Sequence, residues 1–329
     1  MRPLTGRPAA ALWIISATRL RMRHAGRVTP RRPLPPRLRE GSFTIRTAAD
    51  HGIGEGRLRG PDLAKPFHGI RSPMTAVSLH ERARALQLRM PQAAFFCSVT
   101  AALLMGIPLP STLVRLAQLH VGMPAPMRAC RAAGSTGHKL QLGEGDVRAW
   151  LGLRLTTAAR TWCDLAAILD VEDLVAAGDY IIHHRHPLAS RADLEAAAAS
   201  HPGRRGRARL LEALGLLDDR AESPPESIIR VTIVRAGILG LKVNHPIADA
   251  RGHVFARADL CFPAHRVIFE YQGDYHRSEP ERWRKDRTRV ARLTAAGWHV
   301  IEIAADELTD RRMLLRLIRD ALALHPPAR

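Results

Sequence analysis

The sequence predicts an α/β protein in two parts, a C-terminal α-β-β-β-α-β-α domain over 221–325 behind a mainly α (α+β) N-terminal domain. Three observations point to this. Glu222-Ser223-Pro224-Pro225-Glu226 has the residue order of a capped helix start. Three β-prone runs follow it within 241–271. A charged helical stretch, a further β-run and an amphipathic stretch then complete the alternation before residue 325. A chain of 329 residues also has room for two domains.

In the C-terminal part, Ser223 is the expected N-cap, with Pro224 at N1 and Glu226 at N3, and the helix runs through Val234 to a stop at Gly237. Strands are expected at 241–248, 254–262 and 265–271. Pro263-Ala264 is read as a two-residue hairpin turn between the last two. A helix capped by Ser278 runs to Gly297, a fourth strand spans 298–303, and one amphipathic helix covers 306–324. The strand–helix–strand crossover over 265–303 makes its two strands parallel.

The N-terminal part reads less sharply. Residues 1–42 carry Pro30, Pro33, Pro35 and Pro36, and residues 1–40 hold ten Arg against one acid, Glu40. They read as a disordered basic extension. Residues 43–200 form the mainly helical domain. Gly52, Gly54, Gly56 and Gly60 punctuate 43–75 as turns. Helices are expected at 75–89, 156–169 and 171–182, with a strand at 116–121. His183, His184 and His186 sit at a helix end, where basic residues suit the dipole better than a metal. Residues 201–220 read as a linker and short helix, its Arg204 and Arg205 free to meet phosphate.

The net charge of +19 points to a polyanionic partner, or to basic tails. Four scattered cysteines without a Cys-x-x-Cys argue against a disulfide framework or a zinc ribbon. The apolar run Ala9–Ile15 is too short to span a bilayer. A cytoplasmic protein without a membrane partner is expected.

Chemistry concentrates on two acids. Asp259 lies inside the second C-terminal strand and Glu270 at the end of the third, and a hairpin brings both to one region of the sheet. Carboxylates within apolar β-runs are costly unless paired or bound to a cation. Magnesium takes one or two carboxylates with phosphate oxygens and waters. The alternative is a structural salt bridge to Arg257 or Arg289. Arg160 and Asp164, four apart on a helix, read first as a local ion pair.

The stretches 221–227, 257–260 (Arg-Ala-Asp-Leu), 270–276 (Glu-Tyr-Gln-Gly-Asp-Tyr-His), 286–289 with Leu293, and Gly297-Trp298 resemble the PD-(D/E)XK nuclease superfamily. More narrowly, they resemble its very-short-patch-repair-endonuclease-like bacterial proteins. The resemblance implies a restriction-endonuclease-like fold and a metal-dependent DNA endonuclease using Mg2+ (or Mn2+), in phage defence or DNA repair. It makes Asp259, Glu270 and the Tyr271 carbonyl metal ligands, His276 an acid/base, and Glu226 a supporting carboxylate. Gln272 stands where the superfamily usually has lysine, so positive charge at the nucleophile is replaced by neutral hydrogen bonding. Arg257, Arg282, Lys285 and Arg289 are the expected DNA contacts of this domain.

The blocks 98–108 and 155–165, with Gly178-Asp179, resemble the AbiEi-type antitoxins of toxin–antitoxin systems. That implies a cognate toxin as partner. No helix-turn-helix is legible before residue 94. The alternative function is therefore a non-catalytic, DNA-binding, antitoxin-like regulator with a degenerate nuclease fold.

Overall fold

The computed structural model describes residues 33–73, 78–115, 118–249, 251–271 and 280–327, with the side chains of 280–286 outside that description. The expected N-terminal arm thus lies largely outside the described residues.

The first unit is small. Strand β1 (Phe43–Thr44) leads into helix α1 (Ile45–Asp50), a turn at 51–54, helix α2 (Glu55–Leu58) and strand β2 (Ile70–Arg71), which pairs antiparallel with β1. Thr44 caps α1 by accepting from the Thr47 amide at 3.0 Å. Leu34, Leu38, Phe43, Ala48, Ile53, Leu58 and Leu63 form its buried core. Residues 43–75, expected as the Gly-punctuated end of a small module, thus hold two short helices and one strand pair. The core residues from Phe43 to Leu63 recur every five positions, a spacing that matches neither the helical nor the strand period.

The larger N-terminal unit has α3 (Leu79–Gln87), β3 (Phe95–Phe96), α4 (Ser98–Leu104), α5 (Ser111–Val114), β4 (Leu119–Pro124), β5 (Ser135–Leu140), β6 (Val147–Trp150) and β7 (Leu153–Thr156). Helices α6 (Ala158–Leu165), α7 (Val171–Ile182), α8 (Arg191–Ser200) and α9 (Arg207–Leu216) follow. The strands form one mixed sheet, ordered β5-β4-β3-β7-β6. Thr157 caps α6 and Asp170 caps α7, which spans the expected residues. Trp162 is fully buried and donates its indole N–H to the Leu174 carbonyl at 2.8 Å. The stretch 201–220, expected as a linker and short helix, contributes Leu210, Ala213 and Leu217 to this core.

The C-terminal unit runs α10 (Pro224–Arg235), β8 (Lys242–Ala248), β9 (Val254–Phe262), β10 (Val267–Tyr271), α11 (Pro280–Ala295), β11 (His299–Ile303), α12 (Ala305–Thr309) and α13 (Arg311–Leu324). The sheet order is β11-β10-β9-β8, with β10 and β11 parallel and the other pairs antiparallel. The chain is thus α/β, as expected. On one face, Leu260, Phe262, Val267 and Phe269 pack against Ile229 and Ile233 of α10 and Leu314 and Ile318 of α13. On the other, Leu293 of α11 covers Ile247, Cys261 and Ile268.

Two details differ from expectation. The β9–β10 connection is longer than Pro263-Ala264, because a 3-10 turn at Pro263–His265 is followed by Arg266 in the left-handed region at φ 52°. The closing helix is also broken at Asp310, whose carboxylate accepts from the amides of Arg312 and Met313 and so starts α13 afresh.

The two larger units meet across α7 and α10. Asp179 of α7 is 1% exposed and accepts from Ser227 Oγ at 2.6 Å, Arg230 Nη2 at 2.9 Å and the Asp218 amide at 2.7 Å. Ala176 of α7 packs with the C-terminal core and Val231 of α10 with the N-terminal one.

Candidate metal and nucleic-acid site

The β9–β10 register positions the two acids. Phe262 faces Val267, Cys261 faces Ile268 and Leu260 faces Phe269. This pairing ends one residue short of Asp259 and Glu270, which sit where its two strands leave the ladder. Both are half-buried, and Arg289 of α11 bears on both: it stands 2.8 Å from Glu270 Oε1, and its field opposes the raised pKa of Asp259.

Three further carboxylates stand nearby. Glu302 of β11 is exposed and lies in register beside Glu270; the Glu in His-Val-Ile-Glu-Ile was overlooked in the sequence, although strand alternation could have marked it. Glu226 sits at the start of α10, where Oε1 accepts from Ser223 Oγ at 2.8 Å and Oε2 from the Glu222 amide at 3.2 Å. Burial, with Asp259 close by, pushes the Glu226 carboxyl up to about 7. Glu222 lies 3.5 Å from Arg257 and from Arg185.

Two arginines answer this charge. Arg289 of α11 places Nη1 2.8 Å from Glu270 Oε1 and donates from Nη2 to the Arg257 carbonyl at 3.3 Å. The first approach is close in distance but lacks hydrogen-bond geometry, so Glu270 Oε1 is buried with no hydrogen bond. Asp259 makes no side-chain hydrogen bond or ion pair among the described residues. Burial raises its pKa, and the fields of Arg289 and Arg257 oppose the rise.

The other expected residues divide sharply. Tyr271 ends β10 beside Glu270. Gln272 and His276 lie outside the described residues, as do the side chains of Arg282, Lys285 and Asp286, although α11 carries these last three. Arg204 and Arg205 are exposed on the loop before α9 and belong to a different surface. Arg160 and Asp164 do form an ion pair, at 3.0 Å. Among the described residues, no group of three or more His, Cys, Asp or Glu is arranged to hold a metal, the histidines at 183–186 included. Among them too, no helix is long and apolar enough to cross a membrane.

Chemically, the cluster is a patch of hard oxygen donors that, among the described side chains, holds fewer cations than anions. It can take up a divalent cation at Asp259 and Glu270, or close into salt bridges through Arg289 and Arg257.

No family model matches the chain, and no solved structure matches it. It is 30% identical over 254 residues to the uncharacterized protein MT2308 of Mycobacterium tuberculosis (strain CDC 1551 / Oshkosh), covering 77% of this chain and 89% of that one. It is equally similar to the uncharacterized protein Rv2248 of strain ATCC 25618 / H37Rv. The chain belongs to the family of these mycobacterial proteins.

Proposed function

We propose that the C-terminal domain is a restriction-endonuclease-like, Mg2+-dependent DNA endonuclease that hydrolyses phosphodiester bonds in the cytoplasm, in phage defence or DNA repair. The observation that carries this reading is that Asp259 and Glu270 lie on adjacent paired strands, each one residue beyond the end of the β9–β10 pairing. It is supported by Glu226, whose burial beside Asp259 marks an excess of negative charge. Glu270 Oε1 is buried with no hydrogen bond and has only the Arg289 guanidinium against it, a contact that a hard cation would have to replace. Asp259, Glu270 and the Tyr271 carbonyl would hold Mg2+ or Mn2+. A bound ion supplies Lewis acidity and an acidified water. Around it, Gln272 orients water by neutral hydrogen bonding, His276 moves a proton, and Arg257 and Arg289, with Arg282 and Lys285 on α11, meet phosphates. The test incubates supercoiled plasmid and magnesium with wild type or Asp259→Ala. Nicking by wild type alone supports the reading; equal nicking by both, or none by either, defeats it.

Arg289 gives a second reading its basis. With its guanidinium against Glu270, the site is already partly neutralised, as a degenerate nuclease fold used only for DNA binding would be. The same reading resembles an antitoxin-like regulator with a cognate toxin. DNA retention in a mobility-shift assay, without cleavage and without a metal requirement, favours it.

A further inference from the structure

A second site lies in the N-terminal unit, away from the carboxylate cluster and sharing no residue with it. A cavity of about 770 Å³ opens between the β4–β5 edge, helix α6 and the loop before α9. That is the size range of small-molecule sites.

Its inner wall carries polar atoms that the protein leaves unmet. Arg160, 4% exposed, donates from Nε to Asp164 Oδ1 at 3.0 Å and from Nη1 to Asp146 and to the Gln141 carbonyl. Asp164 Oδ2 is buried with no hydrogen bond, and its side chain is only 10% exposed. His201, with a side chain 8% exposed, stands 3.9 Å from Asp164 and has Nδ1 buried with no hydrogen bond. Burial holds this imidazole down to about 4, so it is neutral near pH 7, with one donor and one acceptor. Two such orphans in residues that line one cavity are costly; both atoms are closed to solvent, so a ligand satisfies them only by entering behind the present lining.

The mouth is different in kind. Lys139, Arg204 and Arg205 line it, all exposed, and none has a side-chain hydrogen bond or ion pair among the described residues. Apolar side chains share the lining, the half-buried Leu140 and the exposed Pro126 and Ile168. A fitting ligand has an anionic end, a body with apolar faces, and N–H donors at its far end. Inorganic phosphate lacks the body, and a sugar phosphate lacks the flat apolar faces.

We propose that this cavity binds a nucleoside phosphate, with its base toward Asp164 and His201 and its phosphate on Lys139, Arg204 and Arg205. The phosphate comes either from a free nucleotide or from the end of a nucleic-acid strand.

Calorimetric titration of the full chain tests this with nucleoside monophosphates of each base, ribose 5-phosphate, inorganic phosphate and a 5′-phosphorylated trinucleotide. At least one monophosphate, or the trinucleotide, is expected to bind saturably. Ribose 5-phosphate and phosphate are expected to bind at least roughly tenfold more weakly. Arg204→Ala with Arg205→Ala is expected to weaken the nucleotide roughly tenfold or more. Asp164→Asn is expected to change which base is preferred. The trinucleotide binding more tightly than its monophosphate assigns the site to a strand end; the reverse assigns it to a free nucleotide. Should Asp164→Asn unfold, the surface double variant carries the test alone. No saturable binding by any probe overturns the proposal, as does phosphate matching the nucleotides or binding unchanged in the double variant. Plasmid nicking does not enter this test, so its outcome is separate from that of the nuclease reading.

Discussion

Arg289 Nη1 stands 2.8 Å from Glu270 Oε1, so the carboxylate one strand over from Asp259 already has a cation against it. Any divalent ion at this site must displace or tolerate that guanidinium. The pair is about one-third exposed on the arginine side, so its contribution to stability is small, below about 1 kcal/mol. Arg289→Ala is therefore expected to melt near wild type and to bind Mn2+ more tightly by calorimetry. Weaker Mn2+ binding in that variant contradicts this account of Arg289.

Arg257 bears on DNA rather than on metal. It is exposed on β9, two residues before Asp259, whose carboxyl feels its field. If it contacts phosphate, Arg257→Ala weakens binding to all sequences alike. It also makes the dependence of log affinity on log salt shallower by roughly 0.9. Fluorescence anisotropy across a salt series reads the slope; an unchanged slope removes Arg257 from the interface.

Asp179 is the buried charge that joins α7 to α10. Asp179→Ala leaves Arg230 uncompensated and is expected to cost about 3–5 kcal/mol in chemical denaturation. Burial, against the pull of Arg230, Ser227 and the Asp218 amide, raises this carboxyl to about 6 from an ordinary 3.8. The folded state therefore keeps a proton that the unfolded chain gives up between those values, and this residue's contribution to stability falls as pH rises through that window. The stability difference between wild type and Asp179→Asn is expected to shift against wild type from pH 4 to pH 6. A flat difference contradicts the raised value.

Two glycines near α9 make opposite cases. Gly206 has φ 80°, and a Cβ there falls 2.0 Å from the Ala166 carbonyl oxygen. Gly206→Ala is expected to destabilise by about 1–3 kcal/mol. Gly215, inside α9, has open space around it, and Gly215→Ala is expected to stabilise by about 0.5–1 kcal/mol. Denaturant midpoints measure both.

The C-terminal elements are legible because each carries its own local signal. Ser223 and Pro224 announce α10, alternation marks β9 and β10, and Gly297 ends the α11 turn. Asp310 hides its break because an acid inside an amphipathic run looks like a surface residue until its carboxylate is seen capping α13. The N-terminal sheet is harder to read. Strand β3 is two residues long, β5 carries Gly137, His138 and Lys139 along a half-exposed edge, and the β6–β7 turn puts Leu151 at φ 47° where glycine or asparagine is expected. For the site, the sequence puts Asp259 and Glu270 on neighbouring strands, and with the longer loop the pairing of those strands ends one residue short of both. The position of Arg289 over Glu270 depends on how α11 lies across the sheet, which no local pattern encodes. The same holds for the cavity beside Arg160, whose walls come from residues 97 to 205.

The central claim is that Asp259 and Glu270 together form a cation site. Calorimetric titration of Mn2+ into wild type and Glu270→Ala tests it most directly. The expected result is a single saturable event in wild type that is lost in the variant while its melting curve stays cooperative. Equal binding by both proteins, or no binding by wild type, contradicts it.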